Sequence, residues 1–247
     1  MATVYVPLPD RDFDVTEVAV PWTLLREAGH QVLFATEDGA TPAADPLLLT
    51  GVVFGKLGAA PDALACYRQL EAAPEFVRPA RWRDVDVGAV DALLLAGGHA
   101  PGMRQYLGSA LVQQQVVALF ARGVPVAAIC HGVLVAARAL DPATGQSVLR
   151  GRRTTCLPKY MERSAFLATF WRRGRYYRTY PAYVEDEVRA ALAVPTDFAR
   201  GPRTLSRRGQ RDDDRDAFVV EDGAYVSARW PGDAWLLGKQ LCARLAP

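Results

Sequence analysis

Lysine is nearly missing from this chain: only Lys56, Lys159 and Lys239 among its 29 basic residues, the rest being arginine. With the abundant alanine, that bias reads as base composition of the gene rather than chemistry. An excess of one charge is missing too. The formal net charge is +2, which calls for no polyanionic partner. Cysteine is scarce and scattered: Cys66, Cys130, Cys156 and Cys242 form no C-x-x-C, so the spacing offers neither a zinc knuckle nor a redox dithiol. A reducing compartment fits such a chain. Histidine occurs only at His30, His99 and His131. A triad that places its nucleophile first and a distant histidine last is thereby excluded. No uninterrupted apolar stretch approaches the about 20 residues that cross a bilayer. The opening MATVYVPLP has no charged n-region ahead of a long apolar run. The expectation is a soluble cytoplasmic protein without a membrane partner.

What is present alternates. TVYVPL (3–8) reads as a buried strand. VTEVAVPWTLLREAG then repeats Val18, Trp22 and Leu25 at helical spacing, and QVLFAT (31–36) is a second strand. DALLLA (91–96), the amphipathic LVQQQVVALFARG (111–123), VPVAAI (124–129) and GVLVAARAL (132–140) continue the pattern. Strand–helix alternation predicts a parallel sheet covered on both faces. The expected fold is α/β, a flavodoxin-like three-layer sandwich with a mostly parallel central sheet. It forms a single domain over 1–247, with inserted loops near 37–61 and 196–216. Helices are predicted at 62–73, 158–172, 183–193 and 233–245, and a hairpin at 218–228 around Asp222-Gly223. The polar stretch 200–216 is the expected site of disorder.

The strand ending at Ile129 meets the helix starting at Gly132 through Cys130 and His131. A sharp strand-to-helix turn lifts its apex residue above the sheet and needs small neighbours, here Ala128 and Gly132, so Cys130 reads as a nucleophile elbow. A helix N-terminus just beyond is expected to favour the thiolate. The His131 amide is one candidate oxyanion donor, and the Gly97-Gly98-His99 loop after strand 91–96 offers a second. An inert buried thiol is the plain alternative. His131 or His99 is left as general base, while His30 reads as a helix-end or surface residue. Glu17 sits in the first turn of the first helix, at the same sheet edge. Asp12 and Asp14 are its neighbours and rivals, and a glutamate there also serves the helix dipole.

The stretches TEVAVPWTLLREAGHQVLFATEDG (16–39), DALLLAGGHAPG (91–102) and VPVAAICHG (124–132) resemble the ThiJ/PfpI superfamily, which has the class I glutamine-amidotransferase-like fold. VEDEV (184–188) and DGAYVSARWPGDA (222–234) are similar to it more loosely. The resemblance implies Cys130 as nucleophile, His131 as its adjacent histidine, Glu17 as the acid that hydrogen-bonds the thiol, and Gly98 as the oxyanion-loop glycine. Ser227-Ala228-Arg229-Trp230-Pro231 departs from the Thr-Gly turn of many relatives at the expected substrate mouth.

The resemblance also implies a cofactor-free and metal-free enzyme acting on a small carbonyl electrophile, glyoxalase III-like or deglycase-like, and a homodimer. Trp82, Trp171, Trp230 and Trp235, all placed outside the central sheet, lend the dimer some support. Two other readings share the elbow: a thiol hydrolase or hydratase, and a non-enzymatic redox-sensing or chaperone protein. A glutaminase subunit fits poorly, since its downstream histidine is missing. FWRRGRYYRTYPAY (170–183) mixes arginine with aromatics as a single-strand nucleic-acid face does. Near-neutral charge instead favours a segment covering the sheet, a lid or a dimer surface, with no nucleic-acid partner.

Overall fold

The computed structural model describes residues 1–204 and 207–246. Strand β1 (Thr3–Pro7) is buried from Val4 onward, as an interior strand with helices on both faces must be. It is followed by β2 (Arg11–Phe13) and by α1 (Val15–Glu27), which Asp14 caps by accepting from the amides of Thr16 and Glu17. Next come β3 (Gln31–Thr36), β4 (Ala43–Ala44), α2 (Pro46–Thr50), α3 (Pro61–Glu71), α4 (Pro74–Val77) and β5 (Ala80–Arg81). The middle of the chain supplies β6 (Ala92–Leu95), α5 (Met103–Leu107), α6 (Ala110–Ala121), β7 (Val126–Ile129) and α7 (Val133–Arg138). The remainder forms α8 (Lys159–Arg173), α9 (Val184–Ala191), β8 (Val219–Asp222), β9 (Tyr225–Ala228) and α10 (Ala234–Leu245).

Seven strands form one sheet in the order β5-β3-β1-β6-β7-β9-β8. All neighbours are parallel except the β8–β9 hairpin. Helix α1 packs on α3 and α10 over one face, and α7 packs on α6 and α9 over the other. This is the expected three-layer sandwich. In the β6–β7 register Leu95 stands beside Ala128, so the Gly97-Gly98 loop and Cys130 leave the sheet side by side at its C-terminal edge. Ligands bind at that edge in open α/β sheets.

Three expectations need correction. Residues 37–61 are not simply a loop, because β4 pairs in parallel with β2 in a second small sheet and α2 follows it. Their glycine, proline and alanine content hid elements of two and five residues, too short to show a period. The stretch 200–216 is tied down where it is described: Arg200 pairs with Glu185, Arg211 with Glu27 and Asp214 with Lys239. Leu205 and Ser206, also inside the expected 196–216 loop, lie outside the described residues. Finally, Trp82 and Trp235 are buried and Trp230 is half-buried, leaving Trp171 as the exposed member of that set. One core covers more of them than their placement outside the sheet suggested.

The turn after β9 carries a buried ion pair. Asp233 accepts from Arg229 Nη2 and Nε at 2.8 Å each, and from the Phe218 amide at 2.9 Å. Arg229 Nη1 donates to the Pro202 carbonyl at 2.7 Å. Both side chains are essentially sealed from solvent. Removing one partner strands the other charge, so Asp233→Ala is expected to cost about 3–5 kcal/mol in urea unfolding. The double change Arg229→Met with Asp233→Leu recovers most of that loss, because no buried charge is then left unpaired. A single variant as stable as wild type would show that water reaches the pair.

Candidate active site

Cys130 adopts φ 57°, the left-handed region that a non-glycine residue occupies at a cost of about 1–3 kcal/mol. It opens a 3-10 turn, Cys130–Gly132, that runs into α7. The crowding expected of an elbow is plain at Gly132, where a Cβ would stand 2.2 Å from the Leu95 carbonyl oxygen. Only glycine lets β6 and the turn approach this closely. Cys130 Sγ lies 3.5 Å from His131 Nδ1.

Glu17 reaches the site from α1. Its Oε2 accepts from the Gly97 amide at 2.8 Å, while the Gly97 carbonyl accepts from the Asp14 amide at 2.9 Å. The bond to Glu17 removes Gly97 from the expected oxyanion donors, since its N–H is already committed. Gly98 keeps that place: its N–H has no protein acceptor among the described residues. Its backbone is left-handed, and a Cβ there would strike the Asp12 carbonyl at 2.8 Å. The rivalry within the first helix resolves by geometry. Asp14 is spent on capping α1, Asp12 accepts from the Gly102 amide, and Glu17 reaches the elbow through the Gly97 amide, but its Oε1 has no hydrogen-bond partner among the described residues, so the bond to the thiol that the resemblance implies is not made. His30 stays apart near the N-terminus, accepting from the Ala2 amide.

His99 completes the cluster. Its ring meets that of His131 edge-on, with centroids 5.1 Å apart. One ligand-capable atom from each of His99, Cys130 and His131 lies within 4.8 Å of the others. The segment 176–180 covers them. Tyr177 packs edge-on against His99 at 4.7 Å, and Thr179 hydrogen-bonds the His99 carbonyl. Tyr180 faces His131 and lies beneath Arg138, which is held bidentately by Glu187. These tyrosines belong to the arginine-aromatic stretch, whose buried rings act as a cover. A cavity of about 450 Å³ opens beside them, lined by Asp14, His99, Met161, Glu162, Tyr177 and Trp230. It reaches His99, with Cys130 behind.

Burial dominates the electrostatics. It pushes the Cys130 thiol well above its ordinary range, helped by the charges of Glu17 and Asp14. This runs against the expectation of a stabilised thiolate: α7 has six residues, and its short dipole is set against full desolvation of the thiol. Burial, with Asp14 nearby, also raises Glu17 well above the usual carboxylate range, and Asp14 itself moves to about 6. Burial lowers His131 well below its usual value and His99 to about 4. Burial thus favours the uncharged form of Cys130, Glu17, His99 and His131 alike.

The unfolded chain protonates His99 near its ordinary 6.5. Between that pH and about 4 it takes up a proton the native state refuses, so acidification through this window removes stability. Asp14 acts in the opposite sense, gaining its proton earlier in the native state, and does so with or without His99. His99→Gln is thus expected to lose less unfolding free energy than wild type between about pH 7 and 4.5 in urea titrations. Equal losses would show a solvated His99.

Comparisons with known proteins give the family. A family model described as ThiJ/PfpI family-like matches residues 8–202. An uncharacterised protein of Schizosaccharomyces pombe is 28% identical over 243 residues, covering 96% of this chain and 81% of that protein. A deglycase of Pyrococcus abyssi is 29% identical over 228 residues, covering 91% and 89%. The crystal structure of glyoxalase III from Candida albicans superposes with a TM-score of 0.71 at 18% identity, covering 98% of this chain and 97% of that one. With the family model spanning the elbow, the Gly-Gly loop and the first helix, the chain belongs to the ThiJ/PfpI family.

Proposed function

We propose that the protein is a cysteine-dependent enzyme acting on aldehydes, 2-oxoaldehydes above all, without a cofactor. The observation that carries this reading is the strained Cys130 elbow, with His131 Nδ1 at 3.5 Å and Glu17 oriented by the Gly97 amide. The deglycase and glyoxalase III names of similar proteins point the same way. Both chemistries begin with addition of a thiol to a carbonyl carbon.

Neutral His131 accepts the thiol proton as the sulfur attacks, so the thiolate exists only during bond formation. The C–S bond forms and the carbonyl electron pair moves to oxygen. The Gly98 and His131 amides stabilise that oxygen, which takes back the proton to give a hemithioacetal. With a 2-oxoaldehyde, transfer of the former aldehyde hydrogen as a proton to the neighbouring carbon, and of the hemithioacetal hydroxyl proton to the former ketone oxygen, yields a thioester of a 2-hydroxy acid. Protonated Glu17 and His131 are the groups at hand to relay it. Water then cleaves the C–S bond and restores the thiol, so no electron acceptor is needed. The cavity exceeds a three-carbon aldehyde in size, and Trp230 and Met161 in its wall suit a substrate with an apolar body.

The test is turnover of methylglyoxal, read as 2-hydroxy acid release. Cys130→Ser should abolish it. Glu17→Gln should keep the fold and the alkylation of Cys130 by iodoacetamide, yet lower kcat by about 10²–10⁴. Undiminished kcat would move the proton relay to His131 or His99. Amide hydrolysis in place of aldehyde turnover would favour the hydrolase reading.

We also propose the homodimer that the resemblance implies. It is supported by the exposed group of Phe54, Leu167, Phe170 and Trp171, with Phe54 packed on Trp171 at 6.2 Å. Light scattering at micromolar concentration should give twice the 26.9 kDa of one chain. Trp171→Glu should shift that mass toward the monomer, and a monomeric wild type would refute the dimer.

A further inference from the structure

Two imidazoles and a thiol packed in one dry cluster are more than nucleophilic addition requires. Cysteine sulfur at about 2.3 Å and histidine nitrogen at about 2.0–2.1 Å are the ligand distances of zinc, and tetrahedral geometry then sets the ligand atoms about 3.5 Å apart. Cys130 Sγ and His131 Nδ1 already stand at 3.5 Å. His99 brings a third ligand atom, and one such atom from each of the three residues lies within 4.8 Å of the others, so closing the set takes about 1 Å of ring movement. His99 Nδ1 is sealed from solvent and has no hydrogen-bond partner among the described residues. A buried polar nitrogen left this way costs about 1–3 kcal/mol, which a ligand would relieve.

We propose that His99, Cys130 and His131 form a capture site for a thiophilic d¹⁰ cation of the zinc type, which ties up the nucleophile reversibly. Coordination forms the metal–sulfur bond as the thiol proton leaves to solvent, and both imidazoles bind in their neutral form. One tetrahedral position stays open for water. The dication and the thiolate leave one surplus positive charge. Asp14, which lines the same cavity as His99, is the carboxylate placed to offset it. Entry is through the cavity, whose wall includes His99. The elements holding the set are rigid: His99 follows β6, its carbonyl is latched by Thr179, and Cys130 and His131 sit on the elbow. Cysteine spacing could not reveal such a site, because its ligands come from two different strand ends. The metal here competes with the proposed catalysis rather than serving it. Metal binding itself stands apart from that reading, and only the inhibitory consequence rests on it.

The test titrates metal-free protein with Zn²⁺ against a chromophoric chelator, and with Co²⁺ followed by absorption. The expected result is one equivalent bound, with a thiolate-to-cobalt charge-transfer band that Cys130→Ser abolishes. Zinc should slow iodoacetamide alkylation of Cys130 at least about tenfold, and a chelator should restore it. His99→Gln and, separately, His131→Asn should each weaken binding at least about tenfold and remove the protection. No charge-transfer band, or equal affinity in both histidine variants, would overturn the proposal. Because binding is read spectroscopically, a protein that binds cobalt at Cys130 yet turns over no aldehyde would sustain this site while ending the enzymatic reading.

Discussion

The peptide of Gly97 is the joint on which the site depends. Its N–H holds Glu17, and its carbonyl receives the Asp14 amide. Its Cα stands so close to the elbow that a Cβ would lie 2.7 Å from the His131 nitrogen. One backbone unit thus aligns the first helix, the loop after β6 and the turn after β7, contributed by three distant parts of the chain. Parallel pairing of β1, β6 and β7 brings those parts to the same edge. The hydrogen bonds then set angle and depth. A buried carboxyl needs such a donor, and this one leaves Oε1 unpaired beside the thiol.

A second layer keeps water away. Tyr176, Tyr177 and Thr179 are buried, and the arginines around them are used structurally. Arg104 donates to the Thr179 carbonyl, and Arg138 bridges Glu187 and the face of Tyr180. Arginine suits this work because a planar guanidinium can bind a carboxylate and stack on a ring at once. The shortage of lysine therefore costs the fold nothing at these positions, whatever its origin in the gene.

Much of this was legible in the sequence. The strand–helix alternation of residues 3–36 and 91–140 carries long apolar periods, and each predicted element is present there. Cys130 and Gly132 announced the elbow because the turn admits so few side chains. Glu17 stood in the right helical turn, but only the fold separates it from Asp14, which caps the helix, and Asp12, which faces the Gly102 amide. The loop donors were half legible: a Gly-Gly pair marks close approach, yet which amide is spent depends on where Glu17 reaches. The sequence shows a helix start at the elbow but not how deeply the thiol is buried, and burial is what opposes the thiolate. The tyrosine cover was visible as a motif and ambiguous in role. Rings that stack on nucleobases are the same rings that seal a pocket, and only their neighbours, His99 and His131, tell the two apart.

The preference of burial for the uncharged forms of Cys130, Glu17, His99 and His131 has a kinetic meaning. Such a cluster casts little field of its own into the cavity, so an uncharged aldehyde, the substrate proposed above, would arrive by diffusion alone, neither drawn in nor repelled by it. Its encounter rate is then indifferent to ionic strength, because there is no long-range attraction for salt to screen. On that reading selection falls to shape and to the covalent step, in which sulfur would add to the carbonyl.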